Sequence, residues 1–121
     1  MNTRRFGIIG EKIAQGYLVN KGYEIIETNF YTKRGEIDII AKMDNCIIFV
    51  EVKTRTSLKY GAPEYAVNYY KKKHLSLSAR CYIENYRMKE YFVRFDVVEV
   101  FAKCTDNVFE VEKINVIKNA F

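Results

Sequence analysis

Three carboxylates and a lysine stand inside or beside two apolar runs, 37–43 and 46–52, where charge needs a reason. The first run carries Gly35-Glu36-Ile37-Asp38 at its start, and the second ends in Glu51-Val52-Lys53. A buried, unpaired charge is costly. One chemistry that needs these groups together is metal-assisted phosphodiester hydrolysis. It takes hard oxygen ligands for a divalent cation, an activated water, and a positive group for the developing charge. Asp38, Glu51 and the backbone carbonyl of Val52 are the candidate ligands for Mg²⁺ or Mn²⁺. Lys53 would stand beside them, aimed at the same water or phosphate oxygen.

Whether the acids meet depends on register. Asp44-Asn45, between the runs, are turn formers. As the middle of an even-length hairpin loop they place Asp38 opposite Glu51 and Glu36 opposite Lys53. Alternation then sends all four side chains to one face, and Ile37, Ile39, Val50 and Val52 to the other, as core. Directly opposed carboxylates repel by roughly 3 kcal/mol at an effective dielectric of about 20. A divalent cation between them reverses that sign. The plainer alternative is a solvated sheet face with two cross-strand ion pairs, and an odd-length loop would spoil the opposition. Ile47-Ile48-Phe49-Val50 offers no polar side chain to either face, as expected of a central strand covered on both sides.

The elements that must hold these groups are readable from periodicity. Residues 3–21 read as a helix with Phe6, Ile9, Ile13, Tyr17 and Leu18 in one stripe. Gly7, Gly10 and Gly16 weaken it by about 1 kcal/mol each, and are tolerable where a helix lies close to a sheet or substrate. Lys21-Gly22 closes it. Strands follow over 23–31, 36–43 and 46–54, then a polar loop at 55–61. A second helix spans 62–86, with Pro63 in its first turn. Strand 91–102 and a last short strand within 108–117 complete the chain. The order αβββαβ(β) predicts an α/β fold, a mixed central sheet flanked by helices.

The bulk properties bound the rest. At 121 residues, 49% apolar and 29% charged, residues 1–121 make one domain with a sizeable core. Cys46, Cys81 and Cys104 are odd in number and far apart, which argues against a zinc site or a disulfide framework and for a reducing compartment. No signal-peptide core and no apolar run near the roughly 20 residues of a membrane span is present, so a cytoplasmic location is expected and a membrane is not. A net charge of +5 and a pI near 9.1 allow a polyanionic partner without requiring one.

Gly35-Glu36-Ile37-Asp38-Ile39-Ile40-Ala41 and Phe49-Val50-Glu51-Val52-Lys53-Thr54-Arg55 resemble the PD-(D/E)XK nuclease core. The whole chain resembles the YraN family of predicted endonucleases. The likeness extends to Gly10-Glu11, Gly22-Tyr23, Arg94-Phe95-Asp96-Val97-Val98 and Asn119-Ala120-Phe121. It implies a restriction-endonuclease-like αβββαβ core, similar to archaeal Holliday-junction resolvases, acting on DNA, with branched or damaged structures among the candidate substrates. It implies catalytic roles for Asp38, Glu51 and Lys53, with Glu11 of the first helix joining them. Related resolvases use two sites on two strands, which leaves a homodimer open. One departure is that Gly-Glu-Ile-Asp stands where the named core often has Pro-Asp. Glu36 is therefore an additional acid, either an outer partner of Lys53 or a surface residue.

Several residues carry two readings. Glu11 projects to the border of the apolar stripe beside Leu18, but an exposed acid near a helix start is also favoured by the helix dipole. Lys71, between Val67 and Leu75, either holds a phosphate or snorkels over the core. With Arg34, Arg55 and Lys59 it makes up the candidate DNA-contacting set, although a run such as Lys71-Lys72-Lys73-His74 is often only a solvated face. His74 has no partner in a recognisable nucleophile motif. Beside the nuclease stand two other readings: a nucleic-acid-binding or assembly protein that keeps the fold without significant cleavage, and a structural protein whose acids are ion-paired.

Overall fold

A computed structural model describes residues 1–56 and 69–120, with the backbone alone for 69–71. Its elements run α1 (Thr3–Asn20), β1 (Glu24–Thr32), β2 (Gly35–Met43), β3 (Cys46–Arg55), α2 (Tyr69–Asn85), β4 (Phe92–Thr105) and β5 (Val108–Ile117). The five strands lie side by side in chain order, parallel only between β3 and β4 and antiparallel elsewhere. This mixed sheet with a helix on each face is the α/β, restriction-endonuclease-like core that the resemblance implies. The expected helix start near Pro63 lies outside the described residues.

Each boundary has a local cause. Asn2 caps α1, its side-chain oxygen accepting from the Arg5 N–H at 2.8 Å. At the other end Gly22 takes φ +97°, which a side chain would resist. Its N–H bonds the Val19 carbonyl and that of Tyr23 bonds the Leu18 carbonyl, closing a Schellman turn. Asp106 and Asn107, both with positive φ, make the two-residue turn between β4 and β5. Asp44, at φ +54°, opens the turn between β2 and β3.

The β2–β3 register is the one the turn predicts. Met43 faces Cys46, Ile40 faces Phe49 and Ile39 faces Val50. There the β2–β3 ladder stops. Beyond it β2 continues alongside β1 as far as Gly35 opposite Thr32, while β3 continues alongside β4 to Arg55 opposite Phe101. The sheet therefore forks where Asp38 and Glu51 stand. Glu36 lies opposite Tyr31 on β1, so the expected Glu36–Lys53 opposition is not part of the β2–β3 ladder. The expected sidedness also changes at the fork. Ile39, Val50 and Val52 pack under α1, but Ile37 packs with Ile40, Phe49 and Tyr82 under α2. The pleat of the adjoining strand is interrupted at Asn29, which has φ +52°.

β3 is central and its residues Ile47 to Val52 are buried. α1 meets it through Gly10, Ala14 and Leu18, a line of mostly small residues flanking the larger side chains that the periodicity singles out. A methyl group at Gly10 would lie within 3 Å of Thr54 Cγ2 on β3, whereas Gly7 and Gly16 face open space. The helix can lie this close only because position 10 has no side chain. Two substitutions of the same type should therefore have opposite signs. In chemical denaturation Gly16→Ala should stabilise the fold by about 1 kcal/mol, while Gly10→Ala should destabilise it by about 1–3 kcal/mol. Equal effects would contradict the close packing of α1 on β3.

Candidate active site

Where two strands part, a backbone N–H that the ladder no longer serves must find another partner. At the fork this is the Val52 N–H, and the Asp38 side chain takes it, with Oδ2 accepting at 2.8 Å. Asp38 thus closes the end of the ladder and is held at its mouth. Glu51, next to Val52, is 7% exposed. Its Oε1 lies 3.6 Å from the Lys53 ammonium, two residues along the same strand face.

Two more acids converge on Asp38, one from another element and one from its own strand. Glu11 comes from α1 and Glu36 from β2, and each of the three offers a carboxylate oxygen within 4.8 Å of the others. Glu11 is half-buried at this cluster, where the family resemblance expects it. Asn29 of β1 stands between two of them. Its Nδ2 donates to Glu36 Oε1 at 2.7 Å and to Glu11 Oε2 at 3.3 Å.

The electrostatics follow from this crowding. Burial raises the Asp38 pKa most, and the charge of Glu51 raises it further. The Val52 N–H works in the opposite direction, and Glu11 and Glu36 add to the rise, leaving the group at about 7 in place of 3.8. Its ionised form is therefore held against its surroundings. Close, hard oxygen donors with an uncompensated charge are a donor set suited to a divalent cation that prefers oxygen. Asp38 is common to the three-acid group and to the Asp38–Glu51 neighbourhood.

A cavity of about 410 Å³ opens on the α2 side of the fork, lined among others by Arg34, Glu36, Asp38, Glu51, His74 and Ser78. Its wall is tied together by the Thr32 and Ser78 hydroxyls, 2.8 Å apart, and by the Arg34 N–H donating to Thr32 Oγ1 at 3.0 Å. A second hollow of about 640 Å³ lies on the α1 side, with Arg4, Glu11, Lys12, Asn29, Tyr31 and Glu36 in its lining. The acids occupy the septum between the two.

The basic residues singled out by their place in the chain have different situations. Arg34 lines the cavity beside the acids. Arg55 is engaged inward, its Nε donating to Glu99 Oε2 at 3.1 Å. Glu99 is 0% exposed and also accepts from Asn115 Nδ2 at 3.0 Å, so a buried carboxylate fixes this arginine. Lys59 lies outside the described residues, and of Lys71 only the backbone, in α2, is described.

Two contributors, Asn29 and Glu99, escape a reading of the sequence. Asn29 had a signal, a turn-forming residue inside a strand pattern. Glu99 had the same signal as Asp38, an acid within an apolar run, Val97-Val98-Glu99-Val100-Phe101. His74, weighed in the sequence as part of the basic run 71–74, is brought to the cavity wall by the packing of α2 on the sheet.

Residues 10–100 match the pattern of the uncharacterised protein family UPF0102. The UPF0102 protein of Caldicellulosiruptor bescii is 48% identical over 122 residues, covering 100% of both chains. That of Caldanaerobacter subterraneus subsp. tengcongensis is 46% identical over 121 residues, covering 100% of this chain and 98% of its own. A UPF0102 protein of Thermodesulfovibrio yellowstonii is 50% identical over 112 residues, 93% of this chain and 91% of its own.

The raised Asp38 pKa makes stability depend on pH. The folded chain holds the Asp38 proton up to about pH 7, whereas the unfolded chain releases it near pH 3.9. Between these values the folded state binds more protons, so this group's contribution to stability is present at low pH and lost as pH rises through 7. In EDTA, Asp38→Asn keeps an acceptor for the Val52 N–H and removes the charge. It should be more stable than the parent at pH 8, by on the order of a few kcal/mol, and the gap should close toward pH 4. Denaturation midpoints across this range measure it; a variant less stable than the parent at pH 8 would mark Asp38 as a simple ion-pair partner.

Proposed function

The chain belongs to the uncharacterised protein family UPF0102, the YraN family, and from that membership and the geometry of the fork we propose that it is a metal-dependent endonuclease hydrolysing phosphodiester bonds in DNA. The observation that carries this reading is the meeting, at one cavity, of a buried Glu51 bearing the Lys53 ammonium and an Asp38 whose ionisation its surroundings oppose.

Asp38, Glu51 and the Val52 carbonyl would hold Mg²⁺ or Mn²⁺, with Glu11 completing the oxygen set. Bound there, the cation would supply Lewis-acid polarisation of the phosphate and neutralise charge as it develops. The remaining work falls to the chain itself. Lys53 is paired with Glu51, which lines the cavity, so its ammonium would act beside that opening. Its N–H donors suit an attacking water or a non-bridging phosphate oxygen, where negative charge grows as the water oxygen bonds phosphorus and the P–O ester bond breaks. Arg34, on the cavity wall, supplies a positive fork for the nucleic-acid backbone. The net charge of +5 favours approach of a polyanion. Arg55 serves a neighbouring phosphate only with the donors that Glu99 leaves it.

Cleavage assays test the proposal directly. Linear, single-stranded, flapped and four-way DNA, together with RNA, are incubated with Mg²⁺ or Mn²⁺. At least one DNA should be cut, and Glu51→Ala and Lys53→Ala should each lower the rate by on the order of 10²–10³. Cutting that survives both substitutions would remove the assignment. DNA binding with no cutting of any substrate would favour the nucleic-acid-binding alternative.

A further inference from the structure

Asn29 sits in the middle of β1 between two paired positions, Thr28 opposite Ile39 and Phe30 opposite Ile37. A strand interior has φ well below zero, yet Asn29 has φ +52°. Few residues other than Gly, Asn and Asp adopt this conformation readily. Its carboxamide makes two bonds at once, to Glu36 at 2.7 Å and to Glu11 at 3.3 Å. One NH₂ group, with two hydrogens, thus joins an acid of α1 to an acid of β2.

The choice of an amide has chemical content. Lysine in this place would neutralise one acid and compete with any cation. Aspartate would have no donor for either acid and would add a charge. Asparagine supplies donors and no charge, so it holds two carboxylates near each other while leaving their full negative charge available. Strain in the backbone is commonly kept where a site needs it.

We infer that Asn29 is the positioning residue of the acid cluster: its carboxamide ties Glu11 to Glu36 and so sets where both stand relative to Asp38. The inference rests on the cation-dependent reading above and adds to it a residue that touches neither cation nor substrate. Outer groups that orient ligands typically contribute about 10- to 100-fold in metal affinity.

The test is a Mn²⁺ titration of the full-length protein read by thermal unfolding, which needs no substrate. Asn29→Gly accepts the positive φ and removes only the amide. Its half-saturating Mn²⁺ concentration should rise about 10- to 100-fold. Asn29→Ala, which loses the same amide, should show the same shift and serves if the glycine variant does not fold. In a Glu11→Gln/Glu36→Gln background, adding Asn29→Gly should move the midpoint less than about 2-fold, because the groups it acts through no longer carry charge. A midpoint for Asn29→Gly within about 2-fold of the parent, or an undiminished shift in the double-glutamine background, would overturn the inference and leave the cation reading standing. A parent protein with no Mn²⁺-dependent change in unfolding would overturn both.

Discussion

The hydrogen bond from the Val52 N–H to Asp38 Oδ2 is the constraint on which the site depends. A sheet cannot fork without leaving backbone groups unserved, and a buried, unserved N–H costs as much as a lost hydrogen bond. By taking that N–H, Asp38 lets β2 leave with β1 while β3 leaves with β4. The opening so made is the cavity into which Asp38 and Glu51 project. The same bond holds Asp38 among other acids and favours its ionised form, while burial opposes it. A structural duty and a chemical one are thus joined in a single carboxylate.

The surrounding elements are arranged to bring charge to that opening at close range. Gly10 lets α1 press against Thr54 on β3, and Glu11, the next residue, reaches the fork from above. Asn29 then links Glu11 to Glu36. Such crowding of acids opposes the fold unless positive charge enters, since like charges in a partly buried setting are poorly screened. That cost is carried by a core with many fully buried branched residues, among them Ile39, Ile40, Ile47, Ile48 and Val98.

Away from the fork, the buried carboxylates of Asp96 and Glu99 are satisfied within the chain. Arg94 grips Asp96 through Nε and Nη2, both at 2.8 Å, and its Nη2 also donates to the Tyr23 hydroxyl at 3.0 Å. Asp96 in turn accepts from the Asn119 N–H, and the Ala120 N–H bonds the Phe95 carbonyl, so the end of the chain is tied to β4. The Arg94-Phe95-Asp96 and Asn119-Ala120 segments therefore have a structural use. Glu99, with Arg55 and Asn115, forms a second closed network. In contrast, Glu11 and Glu36 share the single Asn29 amide and stand against Asp38.

Much of this was written locally. The order of helices and strands, the β2–β3 register and the presence of Asp38, Glu51 and Lys53 near one another follow from period, turn residues and alternation, which act over a few residues. The point where the ladder stops does not, because it is set by a side chain replacing a backbone partner, and alternation cannot register that exchange. Nor does alternation register that Ile37 packs under α2. The inward turn of Arg55 and the reach of Asn29 depend on Glu99 and Glu11, far away in the chain and brought close only by packing. The sequence by itself determined which acids the hairpin carries and how its strands align. The tertiary structure alone decided that the hairpin opens at Asp38, that Glu11 of α1 reaches Glu36 and Asp38 there, and that Asn29 ties Glu11 to Glu36, since each of these rests on a contact between elements that no local pattern encodes.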